Sequence, residues 1–182
     1  PIYDTEGIVL HTSPLGEADR LLTVMTPNLG KLRVTARGVR KPTSKLGGHL
    51  DHLTRSSMTI VRGRNLDTIT GADSREAFGE IKNNLYKLSQ AIYLTELVDL
   101  INPLEAPNPE SYTLFLNGLR ILSTNGDLEL VVRYTELQIL NVAGFLPEFR
   151  HCVECHSELA PGQHLFSPVA GGVVCLSCRA TF

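Results

Sequence analysis

All four cysteines of the chain stand in two matched pairs, Cys152-x-x-Cys155 and Cys175-x-x-Cys178, with nineteen residues between the pairs. A CxxC turn presents two thiolates on one tight knuckle. Two such knuckles close a tetrahedral four-sulfur shell, with metal–sulfur bonds of about 2.3 Å for zinc. Pro161, Gly162, Pro168, Gly171 and Gly172 supply turns in the insert, and Val173-Val174 leads into the second knuckle. The spacing predicts a zinc ribbon or finger over residues 149–182, with one structural zinc per chain held by Cys152, Cys155, Cys175 and Cys178. Two disulfides, or a redox dithiol, would use the same residues. No export signal supports the first, and the second needs only one copy. Four thiolates leave no open coordination position, so this zinc would be structural, not catalytic. His151, His156 and His164 lie nearby as substitute ligands, or as supports and solvent groups around the shell.

A second feature is chemical. From Lys31 to Lys45 the chain carries Lys31, Arg33, Arg37, Arg40, Lys41 and Lys45 and no acid. Its first half alternates, placing Leu32, Val34 and Ala36 on one side of a strand and Lys31, Arg33, Thr35 and Arg37 on the other. A half-buried strand is therefore expected to show three cations on one open face. Gly38 ends it, and Pro42-Thr43-Ser44 marks a basic loop. Such a stretch is either a solvated edge strand that resists pairing or a track for phosphates.

The net charge of −2 conceals an asymmetry. Residues 1–78 hold eleven Lys and Arg against eight Asp and Glu, and residues 79–182 hold six against eleven, giving +3 and −5. An anionic partner is favoured for the first part alone. A hydrophobic content of 42% suits an ordinary globular core. No apolar run approaches the length of about 18 residues that spans a membrane. The start, Pro1-Ile2-Tyr3-Asp4-Thr5-Glu6, has no secretory pattern and no initiator methionine, which suggests processing or a boundary cut.

Residues 1–78 read as five short strands: 7–12, 20–26, 31–37, 57–62 and 66–70. Turns fall at Ser13-Pro14-Leu15-Gly16, Pro27-Asn28-Leu29-Gly30 and Arg62-Gly63-Arg64-Asn65, and a long connection follows the third strand. A five-stranded Greek-key barrel of the OB type fits, with an SH3-like barrel or an open sheet as alternatives. Helical spacing then runs through Phe78, Ile81, Leu85, Leu88, Leu94 and Val98 to Ile101, halted by Pro103. Asn108-Pro109 opens a second helix that Asn125-Gly126 ends, and Asp127 opens a third that Gly144 closes. The expected fold is α+β: barrel 1–78, helical domain 79–148, cysteine module 149–182.

The catalytic inventory is thin. P-loop, GxGxxG, HExxH and nucleophile-elbow motifs are all missing. His11, His49 and His52 with Asp19 or Asp51 are the scattered groups any chain of this size contains, so no enzyme is expected.

Several segments resemble one family in order and spacing. Gly7-Ile8-Val9-Leu10, Gly16-Glu17-Ala18-Asp19-Arg20-Leu21, Leu29-Gly30-Lys31 and Ala36-Arg37-Gly38-Val39-Arg40-Lys41-Pro42 are similar to the start of the bacterial recombination mediators of the RecO family. Gly63-x-x-Leu66 and Ala72-Asp73 continue the match, and the cysteines sit where many members carry a zinc finger. The resemblance implies an OB-fold, a helical domain and binding of single- and double-stranded DNA. It further implies strand annealing and loading of RecA with RecR on strands coated by single-strand-binding protein, whose acidic tail is a partner. Cytoplasmic, nucleoid-associated location follows from the same likeness. Family members usually continue with further helices, so a chain ending at Phe182 is expected to lack them.

Residues 1–77 contain one aromatic residue of the Phe, Tyr and Trp set, Tyr3. Binders that stack bases need aromatic platforms. Affinity is therefore expected from phosphate contacts, with Arg33, Arg37, Arg40, Lys41 and Lys45 first and Arg62 and Arg64 second. A structured-RNA module and a protein–protein adaptor are the competing readings. Arg120, Arg133 and Arg150 are candidates for receiving an acidic peptide.

Overall fold

The computed structural model describes residues 1–181. Five strands, β1 (Ile2–Leu15), β2 (Asp19–Thr26), β3 (Gly30–Ala36), β4 (Arg55–Val61) and β5 (Asp67–Glu76), close into a barrel in the order β1-β2-β3-β5-β4. All neighbours are antiparallel except β3 and β5, which run parallel from Val34↔Asp67 to Ala36↔Ile69. The OB-type expectation holds, and an open sheet is excluded by closure.

β1 makes closure possible. Its first half, Ile2 to Ile8, pairs with β4, and its second, Ile8 to Leu15, pairs with β2. The two ladders meet at Ile8, and a bulge between Val9 and His11 interrupts the one with β2. Ile8, Val9 and Leu10 are all fully buried, because the two faces of this strand meet different cores. Val9 packs inside the barrel with Leu22, Val34, Met58, Ile60 and Ile69. Ile8 and Leu10 point outward under the helices, with Met25 and Leu53 beside them. An unbroken apolar run, Gly7-Ile8-Val9-Leu10, is what a strand covered on both faces requires.

Four helices follow: α1 (Gly79–Lys82), α2 (Leu85–Ile101), α3 (Pro109–Leu122) and α4 (Leu128–Val142). Asn84, Asn108 and Asp127 cap the last three, accepting from the backbone N–H groups of Lys87, Ser111 and Leu130 at 3.0, 3.0 and 3.1 Å. Leu94, Val98, Phe115, Leu119, Leu122, Val132 and Ile139 form their common core, continuous with Ile8 and Leu10 of the barrel. Gly118 is required where α3 meets α4, since a Cβ there would stand 2.9 Å from Thr135 Cγ2. Gly144, at φ +80°, turns the chain out of α4 in a left-handed conformation. No helix among the described residues is long and apolar enough to cross a membrane.

Two expectations about boundaries are corrected. β1 continues through Pro14, which faces Arg20 of β2. This end of β1 has no second neighbour, so the missing N–H costs no ladder bond on its outer edge. The continuous helix expected from Phe78 to Ile101 is instead a single turn, a break at Asn83-Asn84 and then α2, and the strand before it runs on to Glu76. Phe78 enters that turn in a left-handed conformation, φ 50°. Apolar spacing alone does not reveal such a break, because both pieces bury the same side.

By compactness the chain forms two units, Pro1–Ile139 and Leu140–Phe182. Within the first, polar groups tie barrel to helices. Arg55 donates to Glu6 at 2.7 Å and to Glu76 at 2.6 Å, and Glu76 also receives Arg120 of α3 at 2.7 and 2.8 Å. Tyr112 of α3 donates to Glu6 at 3.1 Å, and its phenol is pushed up to about 12, chiefly by burial. The buried Lys87 ammonium donates to the Thr124 carbonyl at 2.7 Å, beyond the end of α3, where a cation meets the helix dipole favourably.

Hydrogen bonds from Arg120, and then from Arg55, hold Glu76 below its ordinary value of 4.5. A lowered folded-state pKa adds stability above the unfolded value, and that stability is lost as pH falls through the folded one. Glu76→Gln is therefore expected to flatten the acid limb of the stability curve below pH 4.5 in urea titrations at several pH values. Phe115→Ala, which empties a fully buried position, is expected to cost about 3–5 kcal/mol in the same titrations at neutral pH.

Candidate metal centre and basic groove

The four cysteine sulfurs converge. All lie within 4.8 Å of one another and none is in a disulfide among the described residues. A tetrahedron with metal–sulfur bonds of about 2.3 Å has edges of about 3.8 Å. Cys155 and Cys175 are separated by 3.8 Å. The first knuckle is built by backbone bonds, His156 N–H to Cys152 C=O at 2.8 Å and Cys152 N–H to Ser157 C=O at 2.9 Å. His156 takes a left-handed conformation, φ 60°, to make the turn. The second knuckle follows the hairpin of β6 (Leu165–Ser167) and β7 (Gly172–Val174). Gly172 is needed beside Glu148, whose backbone carbonyl would stand 2.5 Å from any Cβ there.

The donor chemistry suits a cation. The Cys152 thiol is lowered to about 6 by hydrogen bonding to the backbone of Cys155, with that of Cys175 next. The Cys178 thiol is pushed up to about 12 by Cys175 and then Cys155 beside it. Four thiolates cannot share so small a space without a positive ion between them. The cluster can hold one metal ion with sulfur alone, which leaves no position for a reacting water. The neighbouring histidines stand outside the four-sulfur cluster. His164 Nε2 lies 2.7 Å from the Ala160 carbonyl, and His151 Nδ1 is 3.8 Å from Glu148.

The basic residues divide by partner. Lys31 was expected on the open face of β3. Instead its ammonium donates to Asp99 of α2 at 2.7 Å, and its side chain is only 11% exposed. The segment after α2 crosses this edge of the barrel, with Glu105 N–H donating to the Lys31 carbonyl at 2.9 Å, and so covers it. Arg20 pairs with Asp51, and Arg55 with Glu6 and Glu76. Among the described residues, no hydrogen bond or ion pair engages the side chains of Arg33, Arg37, Lys41, Lys45 or Arg64. Arg40 donates to the Gly16 carbonyl at 3.1 Å, which anchors the loop but leaves its charge uncancelled. Arg62 lies over the Tyr3 ring, 5.4 Å from its centre.

The fold gathers part of this set. Arg37 and Arg62 line one open groove of about 480 Å³, with Thr68 and Thr70 on its wall and Leu46, Val61 and Ile69 beneath. Arg33 faces a different groove, of about 350 Å³, shared with His11, Thr23, Lys31 and Asp99. The other candidates are not brought to one point. Of the histidines and aspartates that could have served acid–base chemistry, His11 and His52 stack on each other with ring centres 6.4 Å apart, and the others are engaged elsewhere. Asp19 accepts from the Gly38 N–H at 2.7 Å, Asp51 holds Arg20, and His49 Nδ1 accepts from the Ser74 N–H at 3.1 Å. Sequence reading missed Asp99, whose role depends on a contact across 68 positions.

A closed five-stranded barrel, a helical layer and a four-cysteine cluster together define an α+β protein with a metal-capable cysteine module. Residues 2–78 match the family model described as Recombination protein O N terminal, and residues 82–182 match Recombination protein O C terminal. A protein of Dehalococcoides mccartyi called DNA repair protein RecO is 40% identical over 179 residues, 98% of this chain and 71% of the relative. Proteins of the same name from Roseiflexus sp. and Pelotomaculum thermopropionicum are 37% and 36% identical, over 62% and 69% of their own lengths. The chain belongs to the RecO family.

The cysteine cluster sets an expectation. Elemental analysis of the purified protein should find one thiophilic metal ion per chain, and Cys155→Ser should lose it while the barrel's thermal transition is unchanged. Removal by a chelator should unfold the segment around the knuckles, read as faster amide exchange in residues 150–178.

Proposed function

We propose that this protein is a non-enzymatic mediator of DNA repair and recombination that grips nucleic-acid backbones through phosphate contacts. The observation that carries the reading is the division among barrel cations: Arg20, Lys31 and Arg55 have acid partners, whereas Arg33, Arg37, Arg40, Lys41, Lys45 and Arg64 have none among the described residues. Uncancelled charge on β3, on the loop after it and on the turn before β5 is what a polyanion selects, and it is costly to keep for packing alone. Arg62 completes the set at the groove wall.

The barrel has little aromatic surface for stacking, so both single and double strands are bound without reading bases. Such a grip holds two strands while they search for register, which is the physical basis of annealing. Family membership supports the finer roles, namely assisting RecA loading with RecR and engaging the tail of single-strand-binding protein. The metal is zinc, one per chain, and its role is to fold the cysteine module.

Fluorescence anisotropy with a mixed-sequence single strand, titrated at several salt concentrations, tests the reading. Log affinity is expected to fall with log salt at about −0.7 per phosphate contacted. The variant Arg37→Glu/Arg40→Glu/Lys41→Glu is expected to bind at least tenfold more weakly, with a flatter slope. Equal binding and slope in the variant would move the track elsewhere. No binding by the wild type would favour a protein–protein adaptor.

A further inference from the structure

We propose that the groove between β1, β2, β3 and α2 is a second phosphate subsite, and that the chain's own Asp99 occupies its cationic end when nucleic acid is absent. The inference rests on the nucleic-acid reading above and concerns a groove separate from that of Arg37 and Arg62. Strand register builds it. His11 of β1 faces Thr23 of β2, and Thr23 faces Arg33 of β3, so imidazole, hydroxyl and guanidinium form one row across three strands. Lys31, two residues before Arg33, extends the row on the same face. All four line a groove of about 350 Å³.

Asp99 enters this groove from α2. One carboxylate oxygen accepts from Lys31 Nζ at 2.7 Å, and the other lies 3.3 Å from His11 Nε2. Arg33, at the far end of the row, has no partner among the described residues. A carboxylate bridging two nitrogen donors beside a free guanidinium occupies the position that a phosphate oxygen would seek, because both anions use the same charge-assisted bonds. Asp99 therefore acts as an internal competitor. It cancels the charge of Lys31 and lowers the attraction of the whole row for a passing strand.

Lys31 also donates to the main-chain carbonyl of residue 99. Asp99→Asn thus removes the negative charge while leaving the ammonium positioned, and a thermal melt checks that the fold is kept. Anisotropy of the full chain with the same single strand is the readout. Asp99→Asn is expected to bind severalfold tighter at low salt, with a slope steeper by up to about 0.7. Arg33→Gln in that background is expected to abolish the gain. In the wild type, the His11 ring resonances are expected to shift when the oligonucleotide is added, a measurement that needs no variant. Unchanged affinity and slope in Asp99→Asn would overturn the proposal, as would a gain that persists with Arg33→Gln, since that assigns it to net charge. Static His11 resonances under saturating oligonucleotide would also overturn it. These failures leave wild-type binding intact, whereas loss of the parent reading shows as no wild-type binding at all.

Discussion

The structure depends on one strand being buried on both faces. At the bulge in β1, Val9 turns into the barrel while Ile8 and Leu10 turn under the helices, and all three are fully buried. The barrel closes only because β1 is long enough to pair with β4 through one half and β2 through the other. The helices, in turn, have a surface to pack on only because the outer side of that same strand is apolar. One apolar run thus joins two cores that would each be small alone.

Charge is organised around that junction. Where barrel and helices meet, cations are matched by acids: Arg55 with Glu6 and Glu76, Arg120 with Glu76, Lys31 with Asp99. A cation partly removed from water needs such a partner. Away from the junction, on the loop after β3 and the turn before β5, that constraint does not act, and the basic residues have no acid partners among the described residues. Proximity to the helical layer therefore separates cations that serve the fold from those open to a polyanion.

The cysteine cluster answers a different constraint. Among the described residues from 140 onward the sheet consists of two strands of three residues each, too little to order a chain by burial. Convergence of four sulfurs offers a site where a bound cation would cross-link the segment in place of a core, and backbone hydrogen bonds lower the Cys152 thiol toward the thiolate form that a cation requires.

Much of this was legible in the residues themselves. Alternation and turn chemistry located the five strands, the asparagine and aspartate caps located α2's successors, and CxxC spacing named the four cysteines that converge. These signals are local, involving groups a few positions apart whose geometry follows from backbone stereochemistry. What the tertiary structure decided is non-local. The break at Asn83-Asn84 left the apolar spacing intact and so was invisible to it. The separation of Arg33 from Arg37 into different grooves follows from where β3 ends and barrel closure begins. Lys31 read as an open cation because its acid, Asp99, lies on a helix 68 residues later. A sequence lists which charges a chain carries, but only packing brings a particular carboxylate within hydrogen-bond distance and cancels one of them.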